Sequence, residues 1–166
     1  MKIYLASDHA GVELKADLVT LLQSSQFLPH LKRDIFDLGP QSIDSVDYPD
    51  YADLVSKKIH GLSIVQNTAQ NSDMPLSMPT EIGILICGSG QGMCMRANKY
   101  PAIRAALCWN PETARLSREH NDANILCLGS RMVSKEESIQ IVQIFLSTAF
   151  LGGRHAGRVA KVMTRV

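Results

Sequence analysis

The chain predicts an α/β fold: a three-layer αβα sandwich around a five-stranded parallel sheet, with one extra helix at the carboxy terminus. Three observations predict it. Short apolar runs alternate with segments of helical spacing along the whole chain. The runs are rich in β-branched and aliphatic residues with no polar face, which suits strands covered on both sides. The 166 residues, 45% of them hydrophobic, suffice for one sizeable core and are read as a single domain, 1–166.

The elements follow in order. KIYLAS is a short buried strand. Gly11 to Gln23 carries Val12, Leu14, Leu18, Val19 and Leu22 at helical spacing. RDIFDLG is a second strand, stopped by Gly-Pro. Tyr48 to His60 reads as a helix with Asp47 as its cap and Pro49 in its first turn. EIGILIC is a third strand, followed by a helix from Met93 to Lys99. IRAALC is the fourth strand. Pro111 to His120 is a helix capped by Asn110, with Pro at its first position. NILCLG is the fifth strand. Ser134 to Thr148 is a long helix whose Ser134 and Glu137 stand in capping-box register. A last helix runs from about Arg154 to the end. The order makes the sheet Rossmann-like and places ligands beyond the carboxyl ends of the strands. Attention falls on the strand-to-helix junctions SDHAG, LGPQSIDSVDYPD, CGSGQGM, CWNPET and LGSRMVS.

Residues 61–80, GLSIVQNTAQNSDMPLSMPT, break this rhythm. They are polar, Pro-containing and aperiodic, and read as a surface-loop insertion. The formal charge of +1 argues against a nucleic-acid or anionic-membrane partner. No CxxC pair, secretory signal or membrane-length apolar run is present, so the expectation is a cytoplasmic protein with reduced thiols. Cys108 and Cys127 lie inside apolar runs and read as small core residues, and Cys94 as packing on its helix.

The stretch ICGSGQGM, residues 86–93, carries the chemistry. A phosphate-binding P-loop would need a Lys-Ser/Thr pair after its last glycine, which is missing. A dinucleotide fingerprint would need GxGxxG, and the spacing here is GxGxG. A cysteine phosphatase would need an arginine six residues after the cysteine, where Met93 stands. Two readings remain. One is a structural turn. The other is a cysteine at a strand end facing a glycine loop whose backbone amides converge on an anion. Those amides and a following helix amino terminus favour thiolate over thiol. They would equally stabilise an oxyanion on a substrate. A base beside an oxyanion hole suits proton abstraction next to a carbonyl.

SDHAG, VDYPDYA, ILICGSGQGM, RANKYP, IRAAL, SREHNDANILCLGSR and the late GGRH-x-x-R, in this order from Ser7 to about Arg158, resemble the ribose-5-phosphate isomerase type B family, which includes the galactose-6-phosphate isomerase subunits. The segment 61–80 departs from the family, whose members have a short link there. The resemblance implies a single sugar-phosphate isomerase domain. It implies an aldose–ketose isomerase of ribose 5-phosphate and ribulose 5-phosphate, in the non-oxidative pentose phosphate pathway, working through an enediolate without metal or other cofactor. Cys87 corresponds to the base, because this chain has Met93 where cysteine-lacking members carry a glutamate. Ser89 assists proton transfer, and the loop of Gly88, Gly90, Gln91 and Gly92 holds the enediolate oxygens. His120 opens the furanose ring with Asp8 nearby. His9, Arg131, Arg154 and Arg158 correspond to phosphate ligands, and Tyr48 and Asn121 to further substrate contacts. The resemblance also implies a homodimer or homotetramer with sites at a subunit boundary.

The residues read alone leave more open. Arg154 and Arg158, four apart, share a helix face that suits a phosphate dianion. With Lys161 and Arg165 they equally form a solvated basic face. His120 could simply end its helix, Asp8 could be an N-cap, and Tyr48 a packed aromatic. The functional alternatives are an isomerase of galactose or allose 6-phosphate, a non-catalytic sugar-phosphate-binding protein on the same fold, and a nucleotide-binding regulator, which the glycine spacing disfavours.

Overall fold

The structure, a computed structural model, describes residues 1–59 and 78–164. Of the expected 61–80 insertion, residues 61–77 lie outside the described residues. The expected α/β architecture is present. In chain order the elements are β1 (Lys2–Ser7), a single 3-10 turn (His9–Gly11), α1 (Val12–Gln23), β2 (Asp34–Asp37), α2 (Tyr48–Ser56), β3 (Glu81–Cys87), α3 (Gln91–Ala97), β4 (Ala105–Leu107), α4 (Pro111–Asn121), β5 (Ile125–Gly129), α5 (Lys135–Ser147) and α6 (Arg154–Met163). All strand pairs are parallel and the sheet order is β2-β1-β3-β5-β4.

Strand alternation sorts the side chains into two cores. Ile3, Leu5, Ile82, Ile84, Ile86, Leu126 and Leu128 point to one face, where Leu18 of α1, Ala114 of α4 and Phe145 of α5 cover them. Tyr4, Ala6, Leu85, Cys87, Ile125 and Cys127 point to the other, under Val55 of α2 and Met93 of α3. This distribution is what right-handed crossovers require: leftward connections put their helix on one face and rightward connections on the other. Cys108 and Cys127 are buried, as expected, and Cys94 packs half-buried against the second core.

Caps fix several helix starts. Asn110 with Thr113, and Ser134 with Glu137, form capping boxes. Asp47 stands at the N-cap of α2 but makes no side-chain cap hydrogen bond. Pro49 removes one of the two amides such a cap could use, and the Asp50 amide donates instead to the Asp47 carbonyl at 3.2 Å.

Two contacts hold α3 in place. Its last turn is tied to the outer edge of β4: the Asn98 amide donates to Ala105 O at 2.9 Å and its oxygen accepts from Ala105 N at 2.9 Å. This mimics a further strand and blunts the edge. Arg96 clamps Asp53 of α2 bidentately, at 2.6 and 2.7 Å.

The strand order reverses direction between β1 and β3. The chain leaves β1 for β2 on one side and leaves β3 for β4 on the other. The crevice beyond the carboxyl ends of those two strands is where such sheets bind ligands. Asp8 and Cys87 stand at its two sides.

Candidate active site

The crevice is built by β3 and the glycine loop at its carboxyl end. Cys87, 4% exposed, ends the strand. The chain turns at once, and the Gly90 amide donates to Cys87 Sγ at 3.1 Å. That turn needs glycine. Gly90 has φ +76°, and a Cβ there would lie 2.5 Å from Leu107 Cδ1 and 2.9 Å from the Leu128 carbonyl carbon. With only 7 residues in α3, the potential at the sulfur comes from these local amides more than from a long helix dipole. Met93, fully buried, packs beneath the loop as an apolar prop. Ser89 is exposed, and its Oγ accepts the Gln91 amide at 3.4 Å.

Neighbouring elements close around this loop. The Tyr48 ring packs on Gly92, where a Cβ would lie 2.6 Å from Tyr48 Cζ. The Arg131 guanidinium lies beside Gly88, about 3.5 Å from where a Cβ would stand. Arg131 is held there by its own amide, which donates to Gly88 O at 3.1 Å, while the Ser130 amide donates to Cys87 O at 2.9 Å. Asp8, buried, caps the 3-10 turn: its Oδ1 accepts from the Ala10 and Gly11 amides at 2.9 and 3.2 Å. Among the described residues Oδ2 takes no hydrogen bond. His9 Nδ1 accepts the Val46 amide at 3.5 Å, so in the neutral ring the proton sits on Nε2.

The loop from β2 to α2 is fixed by a buried pair. Lys15, 1% exposed, reaches both carboxylate oxygens of Asp37 at 2.6 Å. Asp37 also accepts from Gly39 N and from the Gln41 side chain. Burial pushes this carboxyl up, but the Lys15, Gly39 and Gln41 hydrogen bonds and the Lys15 charge outweigh it and hold its pKa below the ordinary 3.8.

The remaining expected residues lie elsewhere. His120 and Asn121 end α4, and Arg154 and Arg158 lie on α6. Because α4 runs antiparallel to the strands it connects, its carboxyl end is at the amino edge of the sheet, opposite Cys87. The length of β5, on the order of 15 Å, separates the two edges. Asn121 lines a groove of about 460 Å³ at that far edge, with Arg104, Ala123, Val159 and Val162. Asp122, φ +47° and buried, turns the chain back toward β5. It is held by Arg118 at 2.9 Å and Arg104 at 2.6 Å, enough to sustain a left-handed aspartate. The His120 ring stacks flat on His155 of α6, with centroids 4.2 Å apart and planes 6° from parallel.

The chain matches the Ribose/Galactose Isomerase family over residues 3–162. The chain belongs to that family. A probable ribose-5-phosphate isomerase B of Mycoplasma pneumoniae is 44% identical over 162 residues, covering 97% of this chain and 92% of its own. The ribose-5-phosphate isomerase B of Escherichia coli is 36% identical over 161 residues, covering 97% and 93%. Among solved structures, ribose-5-phosphate isomerase B of Mycoplasma genitalium with bound ribulose-5-phosphate superposes with a TM-score of 0.79 at 40% identity, covering 98% of this chain and 93% of that one. The Anaplasma phagocytophilum ribose 5-phosphate isomerase B gives 0.78 at 42%, covering 97% and 95%.

In this ribose/galactose isomerase chain the structure thus sorts the expected residues into two sets. Asp8, His9, Tyr48, Cys87, Gly88, Ser89, Gly90, Gln91, Gly92 and Arg131 gather at the carboxyl edge. His120, Asn121, Arg154 and Arg158 gather at the amino edge. The first set offers a thiol, a converging amide and an adjacent cation, which can take a proton and hold an anion. The second offers an imidazole and two guanidiniums, which can donate a proton and bind a dianion. Sequence reasoning missed Lys15, Asp37, Arg118, Asp122 and His155. GGRH held His155 in plain view beside an arginine of interest, but the partners of the others are distant in sequence. Among the described residues no three His, Cys, Asp or Glu side chains are grouped to hold a metal ion, and no helix is long and apolar enough to cross a membrane.

Proposed function

We propose that the chain interconverts ribose 5-phosphate and ribulose 5-phosphate, with Cys87 as the base. The observation that carries this reading is the Cys87 sulfur facing the Gly90 amide at the sheet's reversal point, 3.1 Å away, in a chain 40% identical to a protein crystallised with ribulose-5-phosphate. As a thiolate, Cys87 removes the proton from C2 of the open-chain aldose. The electron pair moves onto the carbonyl oxygen, and the loop amides from Gly88 to Gly92 hold the resulting enediolate. The O2 hydroxyl proton passes to O1, the electron pair on O2 forms the C2 carbonyl, and the thiol returns its proton to C1, giving the ketose. Ser89, exposed two residues on in the loop, assists the proton transfers. Asp8 offers Oδ2 to a sugar hydroxyl, and Tyr48 walls the pocket. Arg131 and His9 bind phosphate from this edge.

Ring opening and the rest of the phosphate grip come from the other residue set. His120 protonates the ring oxygen, Asn121 contacts the sugar, and Arg154 and Arg158 hold phosphate. Since one chain places these groups on the opposite edge from Cys87, the working site combines the carboxyl edge of one chain with the amino edge of a second copy. The enzyme is then a symmetric dimer, or a tetramer made of two such dimers. The whole chain acts as one isomerase domain in the cytoplasm, with the 61–80 segment as a surface insertion.

The family description names both ribose and galactose, so six-carbon phosphates are the second reading. The test is ribulose 5-phosphate formation by pure protein, with Cys87→Ala and a chelator control. Removing a general base lowers turnover about 10²–10⁴-fold, so the variant should lose activity while keeping its melting profile. Near-full turnover by Cys87→Ala would refute the base. Turnover on galactose or allose 6-phosphate with none on ribose 5-phosphate would move the substrate to six carbons.

A further inference from the structure

Among the described residues of α6, His155 is the only buried polar side chain; Val159, four residues on, is the only other buried one. The helix therefore docks through these two side chains. Arg154 and Arg158 each precede one of them and form the adjacent row, so their direction follows from how His155 and Val159 seat. His155 seats against one ring, that of His120, in the near-parallel stack at 4.2 Å. The stack thus joins the end of α4 to the start of α6, beside the Leu151 amide, which donates to Glu119 O at 3.0 Å.

Two charged rings this close repel. His155 is 8% exposed and flanked on its own helix by Arg154 and Arg158. Burial first, then the charges of His120, Arg154 and Arg158, push its pKa below the ordinary 6.5, against the opposing pull of Glu119. On α4, Glu112 and Glu119 are both engaged by Arg115. His120 is half-buried and stands in the last turn of α4.

We infer that His155 is a positioning residue: its ring sets the His120 ring and the two α6 arginines as one unit. The inference rests on the proposed role of His120 as the ring-opening acid, and it assigns that acid its orientation.

The experiment combines the imidazole NMR signals of His120 in wild type, His155→Ala and His155→Phe with kinetics of the same proteins on ribose 5-phosphate. A ring stacked at 4.2 Å shifts its partner's resonances, so the His120 signals should move in His155→Ala and stay ring-shifted in His155→Phe. Misplacement of about 1 Å costs on the order of 10²-fold in rate, so His155→Ala should lower kcat/KM by about that factor, through both a higher KM and a lower kcat. His155→Phe keeps a flat ring for the stack and should recover at least about tenfold of that loss. The inference is overturned by a kcat/KM for His155→Ala within twofold of wild type, by His155→Phe as poor as His155→Ala, or by His120 signals unchanged in His155→Ala. Should His155→Ala fail to fold, the phenylalanine variant decides. Should wild type show no isomerase turnover, the functional reading fails, and the His120 signals alone still test whether His155 sets that ring.

Discussion

Mixing two dead variants tests the shared site directly. Cys87→Ala removes the proposed base at the carboxyl edge; His120→Ala removes the proposed acid at the amino edge. In a twofold dimer whose sites each draw one edge from each chain, a mixed pair holds one site with both lesions and one with neither. Random reassociation of equal amounts gives half mixed pairs, each with one intact site of two, so about one quarter of all sites are restored. Each parent alone retains at most about 1% of wild-type turnover if acid or base loss costs 10² or more. The expected signal is therefore more than an order of magnitude above background. The assay is ribulose 5-phosphate formation after co-refolding, with tagged pull-down to establish that mixed pairs formed. Mixed pairs with no more activity than the sum of the parents would refute the shared site and require Cys87 and His120 to meet within one chain.

Two further outcomes are expected. Gly90→Ala forces a side chain into a φ of +76° and against Leu107 and the Leu128 backbone; it should cost about 1–3 kcal/mol in strain and, by moving the amide off Cys87 Sγ, about 10²–10³-fold in kcat. A Gly90→Ala enzyme with wild-type melting and turnover would contradict both. Asp37→Asn leaves Lys15, 1% exposed, as a buried unpaired cation and should cost about 3 kcal/mol at pH 7. Because the folded carboxyl titrates below 3.8, its stabilisation is present above that range and fades as pH falls through the folded value. Urea midpoints of wild type and Asp37→Asn should therefore converge toward pH 3, and a gap that stays constant from pH 7 to pH 3 would sink the assignment.

The sheet was legible because burial on both faces leaves little choice of residue. Ile82 to Ile86 read as a strand from composition alone, and period-two alternation then divided them between the two cores. Helix starts were legible at Asn110 and Ser134, where the cap has a local partner, and at Asp47, where the helix begins at Tyr48 as expected although the cap side chain makes no hydrogen bond. The glycine loop was legible because GxGxG after a strand admits few conformations. The Lys15–Asp37 and Arg118–Asp122–Arg104 groups were not, since a charged residue shows its partner only when the fold brings the two together.

The division of the site was within reach of the sequence. In a parallel sheet, a strand-to-helix junction lies at the carboxyl edge and a helix-to-strand junction at the amino edge. SDHAG and CGSGQGM are of the first kind. EHND, between α4 and β5, is of the second. Residues of both kinds cannot serve one small sugar phosphate within a single chain, because about 15 Å of strand stands between them. Either His120 and the α6 arginines play no part in the reaction, or a second copy supplies them. The side chains favour the second. Arg118 and Arg104 hold Asp122 in a left-handed turn, and the His155 ring lies on His120. That is considerable positioning for a helix end facing only solvent, and it is what a group delivered into a neighbouring chain's crevice requires.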